Sequence, residues 1–196
     1  MHLAKRLRAN LGLSCCAVGA SLSIANALGP ATGSAISSSS EIVPAQRPLP
    51  TYAITPERQA LLNTIRYAEG TWRNGSSQGY RLLYGGAEFK SLAKHPDTVV
   101  VKRYASAAAG AYQFMPSTWA LAAARLKLPD FGPSSQDQAA LYLIDQRRAL
   151  DEADGGKLTP ALAAASFYGQ PVRELNELVS FYEENLEELR RHTSRG

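Results

Sequence analysis

Past its first 28 residues the chain contains no cysteine. Cys15 and Cys16 both lie in the opening segment, so the remainder has no disulfide framework and no thiolate to use as a nucleophile. Histidine is nearly as scarce. His2, His95 and His192 are the whole set, and none stands at a spacing that would let two imidazoles share a metal ion. A G-x-S-x-G elbow is absent, as is a glycine-rich phosphate loop following a strand pattern. Ser-His-Asp chemistry would have to use His95, inside "KHPD", where a turn and a structural role fit better. No metal and no cofactor are expected.

Charge of one sign is also lacking. The chain has 21 basic and 17 acidic residues, but Lys5, Arg6 and Arg8 all fall in the first ten, and setting those three aside leaves 18 against 17. Such a balance gives no reason to expect nucleic acid as a partner. A long apolar run occurs once, at residues 11–28, "LGLSCCAVGASLSIANAL", and it is rich in small residues. Preceded by a basic start and carrying Ala25-Asn26-Ala27, it reads as a secretory signal over residues 1–27, in preference to a membrane anchor. Residues 28–51, rich in Ser, Pro and Gly, read as a flexible linker. One domain is then expected over residues 52–196, exported to the periplasm, envelope or exterior, monomeric, and touching membrane only through an uncleaved signal.

Within that domain the apolar spacing is mostly helical. Thr55-Pro56-Glu57 supplies an N-cap with proline at the first helical position, Ala60, Leu61, Ile65 and Ala68 recur on one face, and Gly70 stops the helix. Around Gly85-Gly86, "GYRLLYGG" and "TVVVKRYA" predict a small hairpin or irregular β region. Helices return at "PSTWALAAARLKL", at "SSQDQAALYLIDQRRAL" behind a capping box beginning at Ser135, at "TPALAAASFYG" and over residues 172–191. The acids of this last helix, Glu183, Glu184, Glu187 and Glu188, read as its solvated side. The class is therefore α+β, mostly α, with a small β-hairpin region after the first helix.

What remains for chemistry is carboxylate. Glu69 ends the first helical pattern just before Gly70, beside Tyr67 and Trp72. An exposed helix end is one reading. A desolvated acid that keeps its proton and can donate it to a glycosidic oxygen is the other. Two further clusters bear on the choice: Tyr112 and Gln113 in "AGAYQF", and Tyr168 with Gln170 in "SFYGQ". Each singly suits core packing plus a cap. Together, amides that donate and accept and tyrosines that stack on sugar faces suggest a saccharide cleft.

The ordered set "AEGT", "GY", "YGG", "HPD", "AAGAYQF", "STW", "LPDFGPSSQDQAAL" and "YGQ", running from about Pro56 to Gln170, resembles the lambda-phage endolysin family of lytic transglycosylases, glycoside hydrolase family 104. The resemblance implies a lysozyme-like fold acting on peptidoglycan glycan strands. It implies Glu69 as the acid/base that cleaves the MurNAc-GlcNAc bond and leaves a 1,6-anhydro end, with Tyr80, Tyr112, Gln113 and Tyr168 as glycan contacts. A hydrolytic muramidase drawing on Glu88 or Asp97, or an inactive peptidoglycan-binding module, are the alternatives.

Overall fold

In the computed structural model, residues 51–166 and 173–194 are described. The first helix, α1, spans Pro56–Ala68 and starts as its cap predicts: the Thr55 hydroxyl accepts the Arg58 N–H at 3.3 Å. It buries Ala60, Leu61, Leu62, Ile65 and Ala68. Its main partner is α6, Leu175–Thr193, which contributes Leu178, Tyr182 and Leu186 to the same core. At helical spacing these three form one narrow stripe, and Glu183, Glu184, Glu187 and Glu188 lie on the exposed remainder.

Between α1 and α2 the chain is irregular. Residues Ser77–Arg81 form a 3-10 turn, so "GYRLL" begins as helix-like turn and becomes extended only at Leu82, which bridges Glu88 across the Gly85-Gly86 bend. Two short strands follow, β1 at Val100–Val101 and β2 at Ala105–Ser106, paired antiparallel with Val100 opposite Ser106. The expected hairpin is thus present, but its paired strands fall in and just past the second β-prone run, while the first contributes only isolated bridges at Leu82 and Leu83.

Four helices complete the described fold: α2, Pro116–Leu126; α3, Pro133–Gln146; α4, Leu150–Asp154; and α5, Pro160–Ser166. Helix α3 is buried nearly all round, with Ala139 to Ile144 continuously inside. Two expectations fail here. The capping box at Ser135 is not the helix start, because Gly132 is the N-cap and Pro133 opens the first turn, while Asp130 accepts from the Gly132 N–H and the Ser135 hydroxyl, each at 2.8 Å. The run "SSQDQAALYLIDQRRAL" is not one helix either: Arg148 adopts φ +57°, the chain breaks, and α4 begins two residues later.

Candidate active site

The segment that carries Glu69 is fixed by how α1 ends. Glu69 is the C-cap, and Gly70 follows with φ +70°, a left-handed conformation that costs glycine nothing. The Thr71 N–H returns to the Arg66 carbonyl at 2.9 Å and the Gly70 N–H to Tyr67 at 3.2 Å, the paired bonds of a Schellman motif. Thr71 then ties this end to the segment around residue 111, its hydroxyl donating to the Ala111 carbonyl at 2.5 Å. The "AEGT" stretch is therefore one mechanical unit. Ala68 anchors it in the core, Glu69 is presented, Gly70 turns and Thr71 fastens.

The Glu69 carboxylate is half-buried and makes no hydrogen bond or ion pair among the described residues. Desolvation alone pushes its pKa up to about 7. Such a group holds a proton near neutrality and can either give it up or take one back, the property that acid/base work requires.

A second carboxylate, Asp137 on α3, is dealt with differently. Its Oδ1 accepts the hydroxyls of Tyr80 at 2.8 Å and Tyr112 at 2.5 Å. Burial raises its pKa, while the two hydroxyls and the Arg66 charge oppose that rise. Arg66 is only 3% exposed: its guanidinium lies over the rings of Trp72 at 4.9 Å and Tyr80 at 4.7 Å and donates to the Ser76 carbonyl at 2.8 Å. Beside this cluster, Gln136 uses its whole amide, accepting from the Ala111 N–H and donating to the carbonyls of Tyr80 and Phe131. Gly110 makes room for it, since a Cβ there would stand 2.3 Å from the Gln136 Oε1.

Placement of the sequence-derived residues is therefore uneven. Tyr80 and Tyr112 come together with rings 6.3 Å apart, but they are 6% and 2% exposed and their hydroxyls are committed to Asp137. They belong to the core and offer a sugar little surface. Gln113 is half-buried at φ +47°, its amide N–H donating to Gly110 at 2.9 Å and Leu82 at 3.3 Å, which leaves its carbonyl oxygen as an acceptor. Tyr168 and Gln170 lie outside the described residues. His95 is structural as expected: its Nδ1 accepts the Asp97 N–H, so its Nε2 carries the proton and donates to the Phe114 carbonyl at 2.8 Å. Sequence reading missed Asp137, Gln136 and Arg66. The "SSQDQ" pattern pointed to a cap, and only contacts 25 to 57 residues away in sequence reveal the other role. Among the described residues no cluster of His, Cys, Asp or Glu could hold a metal ion.

The described residues thus hold one unpartnered acid at a helix end and, separately, a buried tyrosine-aspartate cluster. The family model described as Endolysin matches residues 59–189. The chain belongs to the endolysin family. Among its relatives, the endolysin of Escherichia phage lambda is 32% identical over 146 residues, covering 67% of this chain and 92% of its own. That of Escherichia phage P2 is 30% identical over 146 residues, covering 63% and 88%. The structure of bacteriophage lambda lysozyme complexed with a chitohexasaccharide superposes with a TM-score of 0.58 at 30% identity, covering 68% of this chain and 96% of that one. The mostly α architecture with a two-stranded sheet is thus a lysozyme-like one, and this endolysin-family chain is a lambda-endolysin-like lysozyme.

Proposed function

We propose that the protein cleaves the glycan strands of peptidoglycan as a lytic transglycosylase, with Glu69 as the single acid/base. The observation that carries this reading is a desolvated carboxyl with a pKa near 7 and no partner among the described residues, placed on a rigid helix end. Protonated Glu69 donates to the glycosidic oxygen linking MurNAc to GlcNAc as the C1–O bond breaks. The resulting carboxylate takes the proton from the 6-hydroxyl of MurNAc as that oxygen bonds to C1. The products are a free 4-hydroxyl and a 1,6-anhydro end, and water is not consumed.

Hydrolysis would require a second available carboxylate about 5 to 9.5 Å from the first, as nucleophile or as base for water. Four of the described acids already have other surroundings or partners. Asp137 is engaged by two phenols, Asp130 accepts from the Gly132 N–H and the Ser135 hydroxyl, Glu88 is exposed and accepts from Gln78, and Asp97 is exposed on the His95 turn. An internal nucleophile removes the need for such a partner. Gln113 supplies a carbonyl acceptor for a sugar hydroxyl or amide, Tyr80 and Tyr112 act indirectly through their hold on Asp137, and Tyr168 is taken as a further glycan contact.

Digestion of purified peptidoglycan, with products weighed before and after borohydride reduction, tests the reading. Fragments one water lighter that resist reduction are expected. Reducible fragments would replace it with a hydrolytic muramidase, and intact glycan from a folded protein would leave a binding module.

The same reading takes residues 1–27 as an export signal, 28–51 as a linker and 52–196 as the catalytic domain of a monomer acting in the envelope. N-terminal sequencing of the envelope-borne protein is expected to start near residue 28.

A further inference from the structure

Away from Glu69, two hollows among the described residues border α6. One, of about 480 Å³, is framed by Gly156, Glu183, Glu187 and Arg190; it has no aromatic wall, and Arg190 is already paired with Glu57 at 2.9 Å. The other, of about 460 Å³, is different in kind. Trp72 and Leu189 give it apolar surface, Asn74 and Asn185 bring amides, and Glu188 and His192 bring a carboxylate and an imidazole. Its volume lies within the range of about 300 to 1,000 Å³ usual for small-molecule sites.

Much of this lining is fixed in advance. The Trp72 ring is held by Arg66 over its face at 4.9 Å and by Phe181 against its edge at 5.6 Å, and its indole N–H has no partner among the described residues. Gln59 donates to the Asn63 carbonyl at 3.0 Å, and Asn63 donates to the Asn185 carbonyl at 2.7 Å, which orients the Asn185 amide and leaves its NH2 as a donor. Asn74 stands at φ +49° with a side chain that has no partner among the described residues. Glu188 and His192, one turn apart, approach only to 3.9 Å, so each keeps open hydrogen-bonding positions.

Amide donors, amide and carboxylate acceptors and one preorganised indole suit a neutral, hydroxyl-rich ligand. An anion would meet Glu188 and no lysine or arginine. We propose that this hollow is an accessory saccharide site taking one or two N-acetylhexosamine units of a glycan chain. It goes beyond the cleavage reaction and does not depend on it. Trp72 is three residues from Glu69, and its backbone N–H shares the Arg66 carbonyl that closes α1, so one wall of the hollow is continuous with that helix end.

The test is an NMR titration of the full chain bearing Glu69→Gln, which spares the probe, with chitotetraose. The Trp72 indole signal and the side-chain amides of Asn74 and Asn185 should shift on one saturating curve. Asn74→Gly with Glu188→Ala should weaken that curve at least tenfold. Glycine adopts Asn74's φ freely and Glu188 is exposed; if the pair nevertheless fails to fold, the single Glu188→Ala, expected to weaken binding about threefold, decides. Shifts confined to residues around Glu69 and Gln113, no shifts at all, or undiminished affinity in the variants would overturn the proposal. Trp72 shifts in a protein that cuts no peptidoglycan would sink the proposed function and leave this site standing.

Discussion

Glu69 closes α1 and Asp137 lies in the early turns of α3, and burial pushes both carboxyls above their ordinary range. Their surroundings then diverge. Asp137 receives two phenolic hydroxyls and the field of a buried guanidinium, whereas Glu69 receives neither hydrogen bond nor counter-charge among the described residues. A desolvated acid with partners is held in one geometry and serves as an anchor. One without partners is left near the midpoint of its titration, and can carry a proton.

Removing the proposed proton carrier should have the largest effect. Glu69→Gln keeps the shape and loses both transfers, so glycan cleavage is expected to fall by about 10³-fold or more, in line with general acid/base contributions of roughly 10² to 10⁴. Muropeptide release measures it, and circular dichroism should show an intact fold. Residual activity within tenfold of the parent would erase the distinction between the two carboxylates. Next comes the anchor. Asp137→Ala leaves the hydroxyls of Tyr80 and Tyr112 without their acceptor in the interior, a cost of about 2 to 5 kcal/mol in urea denaturation. Because desolvation is the whole cause of Glu69's raised pKa, whatever activity this variant keeps should show an unchanged alkaline limb. An alkaline limb that moved would mean that the two acids titrate together.

The contrast also predicts a pH-dependent stability. Glu69's pKa is higher in the folded chain, near 7, than the ordinary glutamate value of 4.5, so the folded state holds the proton more tightly. Its contribution is complete below pH about 4.5 and is lost as pH rises through 7. Glu69→Gln should therefore be indistinguishable from the parent at pH 4 and more stable by about 1 to 3 kcal/mol at pH 8. Cleavage by the parent should decline over the same interval, as the acid form disappears.

The sequence disclosed these two residues unequally. Glu69 was visible because local rules isolate it: a Thr-Pro start, a helical apolar face and a glycine stop bracket one acid, and the whole motif lies within 17 residues, from Thr55 to Thr71. Asp137 reads as part of a cap, since Ser135 to Gln138 satisfies the capping pattern, and the competing Gly132-Pro133 start is equally local. Nothing nearby distinguishes a tyrosine that stacks on a sugar from one that hydrogen-bonds an aspartate 57 or 25 positions away. The break before α4 was hidden for a related reason. Arg148 takes a left-handed conformation without being glycine or asparagine, so no residue type announces it. Local capping chemistry was readable, and long-range polar pairing was not.

The smallest expected effect joins the two regions. Thr71 donates to Ala111, and the adjacent Tyr112 donates to Asp137, so the carrier and the anchor meet across one peptide. Thr71→Val keeps the volume and removes the donor, leaving the buried Ala111 carbonyl without this partner at a cost of about 1 to 2 kcal/mol. The backbone bond from the Thr71 N–H to Arg66 survives, so the Schellman turn should persist. Activity should fall only about three- to tenfold, mainly in kcat, because Glu69 keeps its desolvation but loses some of its fixed position. If instead kcat falls as far as in Glu69→Gln while stability drops by no more than 2 kcal/mol, then the placement of the acid, more than its pKa, limits the reaction, and the tie through Thr71 is what makes the helix end a catalytic one.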